Sequence, residues 1–271
     1  MSKISVFGGT GFIGSNWFKL YTELSFLEDR EAVNPKYNDI LYFRSTNSNY
    51  SVFKDPSIEI STNLSLLVKM FPNLTQNNTF NLVSSWFVYG KNNVFLNSEN
   101  NHCNPKGFYS ISKYAQEQFL ESYCDTFSIN YRILRLCNVI GKDSRANSQK
   151  NATEFLIQKL RNNEDVNIYK GDNYRNFLYV EDVCRAIKLV MEKGSLNEIY
   201  NIGNFESFKI IDIIHYCKEK LNSKSRINFI DTPKFHKQVQ TKDFHMNTTK
   251  LYDLGFKPKF TLEETLNILC D

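Results

Sequence analysis

No apolar stretch in this sequence approaches the 18 or more residues that a membrane span needs, so none is expected. There is no C-x-x-C. The six cysteines, at 103, 124, 137, 184, 217 and 270, are far apart and none has a histidine at metal-ligand spacing. That pattern argues against a metal site or a disulfide scaffold and fits thiols in a reducing compartment. Residues 1–7 have neither the basic start nor the small-residue cleavage site of a secretory signal. The Asn-x-Ser/Thr triplets at Asn63, Asn73 and Asn151 then read as chance products of an asparagine-rich chain, and a soluble, cytoplasmic protein is expected. Charge of one sign is scarce too: 33 basic against 29 acidic residues leave +4, too little and too scattered for a nucleic-acid partner. Disorder and collagen-like repeats are excluded by 41% hydrophobic and 23% charged residues over 271 positions.

What is present alternates between strand and helix patterns. Ile4–Phe7 is a short apolar run followed at once by glycines. Helix periodicity covers 13–23, strand patterns cover 24–27 and 40–43, and a helix covers 63–71 before Pro72. A strand at 80–83 precedes the serine pair, and a long amphipathic helix spans 110–127 ahead of a strand at 131–136. Such alternation implies an α/β protein with a doubly wound parallel sheet. Beyond Gly141 the pattern loosens into helices near 152–161, 181–192, 209–221 and 261–270, strands at 199–202 and 227–230, and a loop through 171–176. The expected division is a dinucleotide-binding domain over 1–140, to which 177–202 return, and a smaller mixed lobe from 141–176 and 203–271.

Gly8, Gly11 and Gly14 stand at G-x-x-G-x-x-G spacing between the first strand and the first helix. The first allows a tight turn, the second lets backbone approach a pyrophosphate, and the third permits close packing, while the helix N-terminus offers free N–H groups to phosphate. Asp29 lies 21 residues past Gly8 and Arg30 follows. A carboxylate there would hold the ribose hydroxyls of NAD and an arginine would accept the 2′-phosphate of NADP, so Glu28, Asp29 and Arg30 leave the choice open.

Tyr-x-x-x-Lys occurs at Tyr50/Lys54, Tyr109/Lys113 and Tyr216/Lys220. On a helix such a pair shares a face, and an ammonium beside a phenol lowers its pKa toward acid–base use. Tyr109 begins the amphipathic helix, 24 residues after Ser85 at the end of a strand, and is the favoured pair. Tyr50 falls in a polar loop, and Tyr216 on a helix of the second lobe.

With these motifs assembled, the chain resembles the extended short-chain dehydrogenase/reductases, the nucleotide-sugar epimerases, dehydratases and reductases. The matching stretches are Gly8–Gly14, Val83–Gly90, Pro105 with Tyr109–Lys113, Leu134–Gly141 and Arg175–Val183. The resemblance implies a shortened Rossmann-type fold, an NAD or NADP cofactor, a nucleotide-diphosphate sugar substrate and a homodimer. Tyr109 would exchange a proton with the sugar oxygen, Ser85 would hydrogen-bond that oxygen, and Lys113 would hold the nicotinamide ribose. Cofactor contacts are implied for Gly8, Thr10, Gly11, Phe12, Ile13, Gly14, Asp29 and Arg30, for Phe43, Arg44 and Ser45, and for Asn63 and Cys137. Trp86, Asn138 and Arg175 would face the substrate, with Lys237 as a second phosphate-binding base.

Two departures narrow the expectation. Trp86-Phe87 stands where the family's dehydratases carry an Asp-Glu pair, and neither side chain moves protons, so dehydration is not expected. Only 25 residues lie between Gly14 and Ile40, so the usual third strand and its helices are missing and contacts to the adenine should be fewer. Looser binding suits a reductase that releases its cofactor each turnover, NADPH being favoured, over a 4-epimerase with retained NAD. A non-catalytic dinucleotide sensor is the remaining alternative.

Overall fold

The computed structural model describes residues 2–47, 49–92, 94–142, 152–240 and 243–271. Strand β1 (Ile4–Phe7) is buried along its whole length, as an interior parallel strand must be. Helix α1 (Phe12–Leu20) leads to β2 (Ser25–Leu27), a three-residue edge strand, and then β3 (Asp39–Tyr42) returns on the other side of β1. A π-helical turn, Glu59–Ser65, runs into α2 (Leu66–Met70), and β4 (Thr79–Ser85) follows. After the two-residue β5 (Leu96–Asn97) come α3 (Phe108–Phe127) and β6 (Asn130–Leu136).

The smaller unit starts with β7 (Asn138–Ile140), α4 (Ala152–Arg161), β8 (Val166–Tyr169) and β9 (Tyr174–Tyr179). Helix α5 (Val180–Lys193) and β10 (Glu198–Ile202) go back to the large sheet. Then follow β11 (Ser207–Lys209), α6 (Ile210–Lys220), β12 (Ile227–Ile230), α7 (Lys234–Val239), β13 (His245–Met246), α8 (Thr249–Asp253) and α9 (Leu262–Cys270).

The large sheet has the order β10-β6-β4-β3-β1-β2 and every pairing in it is parallel. Because the chain runs from β1 out to β2 and then crosses back past β1 to β3, the strand ends there open a crevice, the place where such sheets bind ligands. No helix or strand occupies the span from Glu28 to Asn38, which matches the expected shortening. A side chain closes the gap. Arg44 sends its guanidinium to the carbonyls of Asp29 and Ala32 and lies over the Phe7 ring, 4.7 Å from its centroid.

Strands β7, β9 and β11 form a second sheet, and β8 pairs with β12. Beneath them Ile157, Leu160, Ile214, Cys217, Leu266 and Leu269 make a separate core. Phe244, Met246, Leu251 and Phe256 pack instead into the core of the large sheet. The structure corrects the expected loop over 171–176, because Tyr174–Asn176 begin β9. Buried Arg175 and Asn176 interrupt any apolar alternation there. Strands β7 and β8 and helices α7 and α8 were also unexpected, being three to six residues long and too short for a period to show. No described helix is long and apolar enough to cross a membrane. Asn151 and residues 143–150 of the loop after Lys142 lie outside the described residues.

Candidate active site

The glycine turn is built as its spacing requires. Gly8 has φ +79°, and a Cβ on Gly14 would stand 2.5 Å from the Gly8 carbonyl oxygen, so the first turn of α1 can lie on the loop only without a side chain. Gly8, Gly11, Phe12, Ile13 and Gly14 line a cavity of about 730 Å³ that runs along the ends of β1 and β4 into the second lobe. Thr10 is exposed and does not line it.

Ser85 ends β4, with its hydroxyl accepting from the Phe87 amide at 3.3 Å. The Tyr109 phenol projects from the first turn of α3, near enough for the Ser85 hydroxyl to act on its pKa. One turn on, Lys113 is 2% exposed, and its ammonium donates to the Val83 carbonyl at 2.6 Å and to Gln116 Oε1 at 2.8 Å. Ser85 and Tyr109 line the cavity, while Lys113 sits behind that wall. Burial pushes the Tyr109 phenol up to about 12, against the pull of the Ser85 hydroxyl. This corrects the expected lowering by Lys113: desolvation outweighs it while the ammonium is committed to Val83 and Gln116. Burial also drives Lys113 down to about 7, opposed by Glu117 and then Glu59. Glu117 is in turn held by Arg135 at 2.7 Å, both groups being buried.

Phe43, Ser45 and Cys137 line the cavity next to the glycine turn, and Trp86, Asn138 and Arg175 line it toward the second lobe. Trp86 is stacked on Phe87, with ring centroids 4.2 Å apart, and packs on Phe244. Arg175 lies 5.5 Å from the Trp86 ring centre, and burial lowers its guanidinium to about 10.

Five other expected contacts are not brought to the cavity. Asp29 and Arg30 lie exposed beyond β2, and Arg44 is turned away to tie down the short loop. Asn63 is fully buried and spends its side chain on Thr46, Glu59 and Ser112. Lys237 is on the exposed face of α7, and its carbonyl accepts from Lys91.

The neighbouring His236 faces inward instead, and its Nε2 shares a hydrogen bond with the Tyr50 phenol. Tyr50, Phe53, Phe235, His236 and Tyr169 form an aromatic group joining the loop after β3 to the second lobe. The sequence reading missed His236, though its place beside Lys237 on a short basic stretch was a usable signal. It set Tyr50 aside as a loop residue.

Residues 40–203 match the model of the NAD dependent epimerase/dehydratase family. The chain belongs to that family. A Haloferax volcanii protein named low-salt glycan biosynthesis protein Agl12 is 29% identical over 70% of this chain and 59% of its own length. The chain thus spans little more than half of that relative. The dTDP-4-dehydro-6-deoxyglucose reductase of Escherichia coli is 23% identical over 94% of this chain and 82% of its own. Among solved structures, a UDP-glucose 4-epimerase of Thermotoga maritima superposes with a TM-score of 0.87 at 23% identity, covering 99% of this chain and 97% of that one.

Family membership brings a nicotinamide dinucleotide, NAD(P), as the cofactor class, and the residues fit it. The Gly11 Cβ position meets only the Gly8 carbonyl, at 3.4 Å, so the glycine turn is open on the cavity side. The unpaired N–H groups at the start of α1 can take a pyrophosphate there. The end of β2 supplies no lining residue for the adenosine half.

Proposed function

We propose that the protein is an NAD(P)-dependent reductase of the 4-keto group of a nucleotide-linked sugar, working as a cytoplasmic homodimer. The observation that carries this reading is that Ser85 and Tyr109 line one cavity together with the glycine turn. When bound, the nicotinamide supplies or accepts the hydride. Tyr109, kept protonated by its raised pKa, is poised to give its proton to the sugar oxygen as that oxygen gains charge. Ser85 steadies the same oxygen with its hydroxyl. Lys113, as a cation behind the wall, favours phenolate once the proton has left. Arg175 and Asn138 face the nucleotide diphosphate, for which a guanidinium fork is suited.

Three features favour reduction. A phenol with a pKa pushed up suits the acid of a reduction better than the base that an epimerase needs first. The unbuilt adenosine side favours release of a spent cofactor. Among described residues Glu154 is the only carboxylate lining the cavity, and it stands on α4, away from the Trp86-Phe87 stack, which leaves dehydration without its acid–base pair. NADPH is the proposed reductant, although Asp29 and Arg30 do not separate it from NADH.

Exposed Val68, Phe119 and Phe127 on α2 and α3 give the proposed dimer an apolar face. The six free cysteines fit a reducing compartment.

The test is oxidation of NADPH and NADH with a panel of 4-keto nucleotide sugars, alongside interconversion of UDP-hexoses without added cofactor. Reduction is expected from cofactor-free protein. Interconversion by protein that retains NAD through purification would replace this reading with the 4-epimerase, and tight cofactor binding without any turnover would replace it with the sensor.

A further inference from the structure

The chain after β3 forms one wall of the cavity without a strand or a long helix to hold it, yet Ser45, Thr46, Asn47, Asn49 and Tyr50 all line the space. A buried carboxylate stands behind it. Glu59 opens the π-helical turn and is 2% exposed. Its Oε1 accepts from the Ser51 hydroxyl at 2.6 Å, and its Oε2 from the Thr46 hydroxyl at 2.7 Å and from Asn63 Nδ2 and the Ser112 hydroxyl at 2.8 Å. Two of these donors belong to the loop, one to the π turn and one to α3, directly before Lys113. A second path runs through Asn63, whose carbonyl accepts from Gln116 at 2.7 Å while Gln116 accepts from Lys113. π-Helical turns concentrate at functional sites.

All four contacts are neutral, and among the described residues Glu59 makes no ion pair. That distinguishes it from Glu117, whose charge is met by Arg135. A buried carboxylate held by dipoles alone keeps an outward field, and Lys113 lies within its reach. The charged groups acting on Lys113 are Glu117 from α3, itself held by Arg135 of β6, and Glu59 from the π turn.

We propose that Glu59 is a positioning residue of this site, which ties the cavity-lining loop to the helix bearing Tyr109 and Lys113 and sets a fixed negative charge behind the Lys113 ammonium. Its bearing on turnover rests on the reductase reading, but its effect on Lys113 can be measured without any substrate. In protein labelled with ¹⁵N-lysine, with the Lys113 resonance assigned by Lys113→Met, Glu59→Gln should lower the Lys113 midpoint by about one unit. In active enzyme the alkaline limb of kcat should move down with it, a change in pH profile that a loss of stability alone would not produce. An unmoved Lys113 midpoint overturns the electrostatic role. A wild-type protein that reduces no 4-keto nucleotide sugar defeats the reductase reading and leaves the titration to decide on Glu59.

Glu59→Asp retains the charge but withdraws it by one methylene, and serves also if Glu59→Gln does not fold. The Lys113 midpoint should stay near that of wild type while the Kd for the dinucleotide rises several-fold as the loop loses its tie. An unchanged Kd overturns the positioning role.

Discussion

The two walls of the cavity are held in different ways. On the side of the large sheet, Ser85, Tyr109 and Lys113 project from a strand end and a helix start, and Lys113 is seated on the backbone of the adjoining strand. On the side of the second lobe, Arg175 comes from a short strand and His236 from a six-residue helix. His236 is fixed by a side chain 186 positions away in sequence, Tyr50. The groups proposed to react thus sit where backbone geometry dictates, whereas those proposed for recognition sit where side chains from two lobes meet. The first arrangement resists change; the second can be rebuilt by a few substitutions.

Substitutions on each wall should separate these properties. The largest effect is expected from Tyr109→Phe, which should lower kcat by roughly 10²–10⁴ while leaving dinucleotide affinity within about twofold, measured by single turnover and fluorescence titration. Near-normal turnover would remove Tyr109 from the chemistry. On the opposite wall, Arg175→Met should raise KM for the nucleotide sugar by about 10–100-fold with kcat at saturation little changed. A fall in kcat alone would blur the distinction between the walls.

Lys113 gives a third measurement. Its pKa is about 7 in the folded chain against 10.5 for the free side chain, so above pH 7 the unfolded chain binds more protons and stability should rise with pH. Between about pH 7 and 8.5 this amounts to about 2 kcal/mol. Urea titrations should show that rise in wild type and its loss in Lys113→Met. The smallest effect belongs to Tyr50→Phe, which removes the bond to His236 and should cost about 1 kcal/mol, seen as a few-fold rise in KM.

The same division governs what the sequence made legible. The glycine turn, the Tyr109/Lys113 pair and the strand ending at Ser85 follow from local spacing, and the missing third strand follows from counting residues between Gly14 and Ile40. The second lobe was obscure because its strands are short and its buried positions include Arg175 and Asn176, which carry no apolar period. The family resemblance places Arg44 and Asn63 against the cofactor, but hydrogen bonds to Ala32 and Thr46 turn them elsewhere. Lys237 and His236 show the limit of such reading. A helix rotates about 100° per residue, so an error of one position exchanges a surface ammonium for an imidazole inside the cleft.

Ending the large sheet at a three-residue strand has a consequence for solubility. The outer rim of Ser25–Leu27 offers only a few unpaired backbone groups. So brief a rim gives an incoming strand little ladder to extend, and this flank should resist the edge-to-edge association to which longer, flat borders are prone.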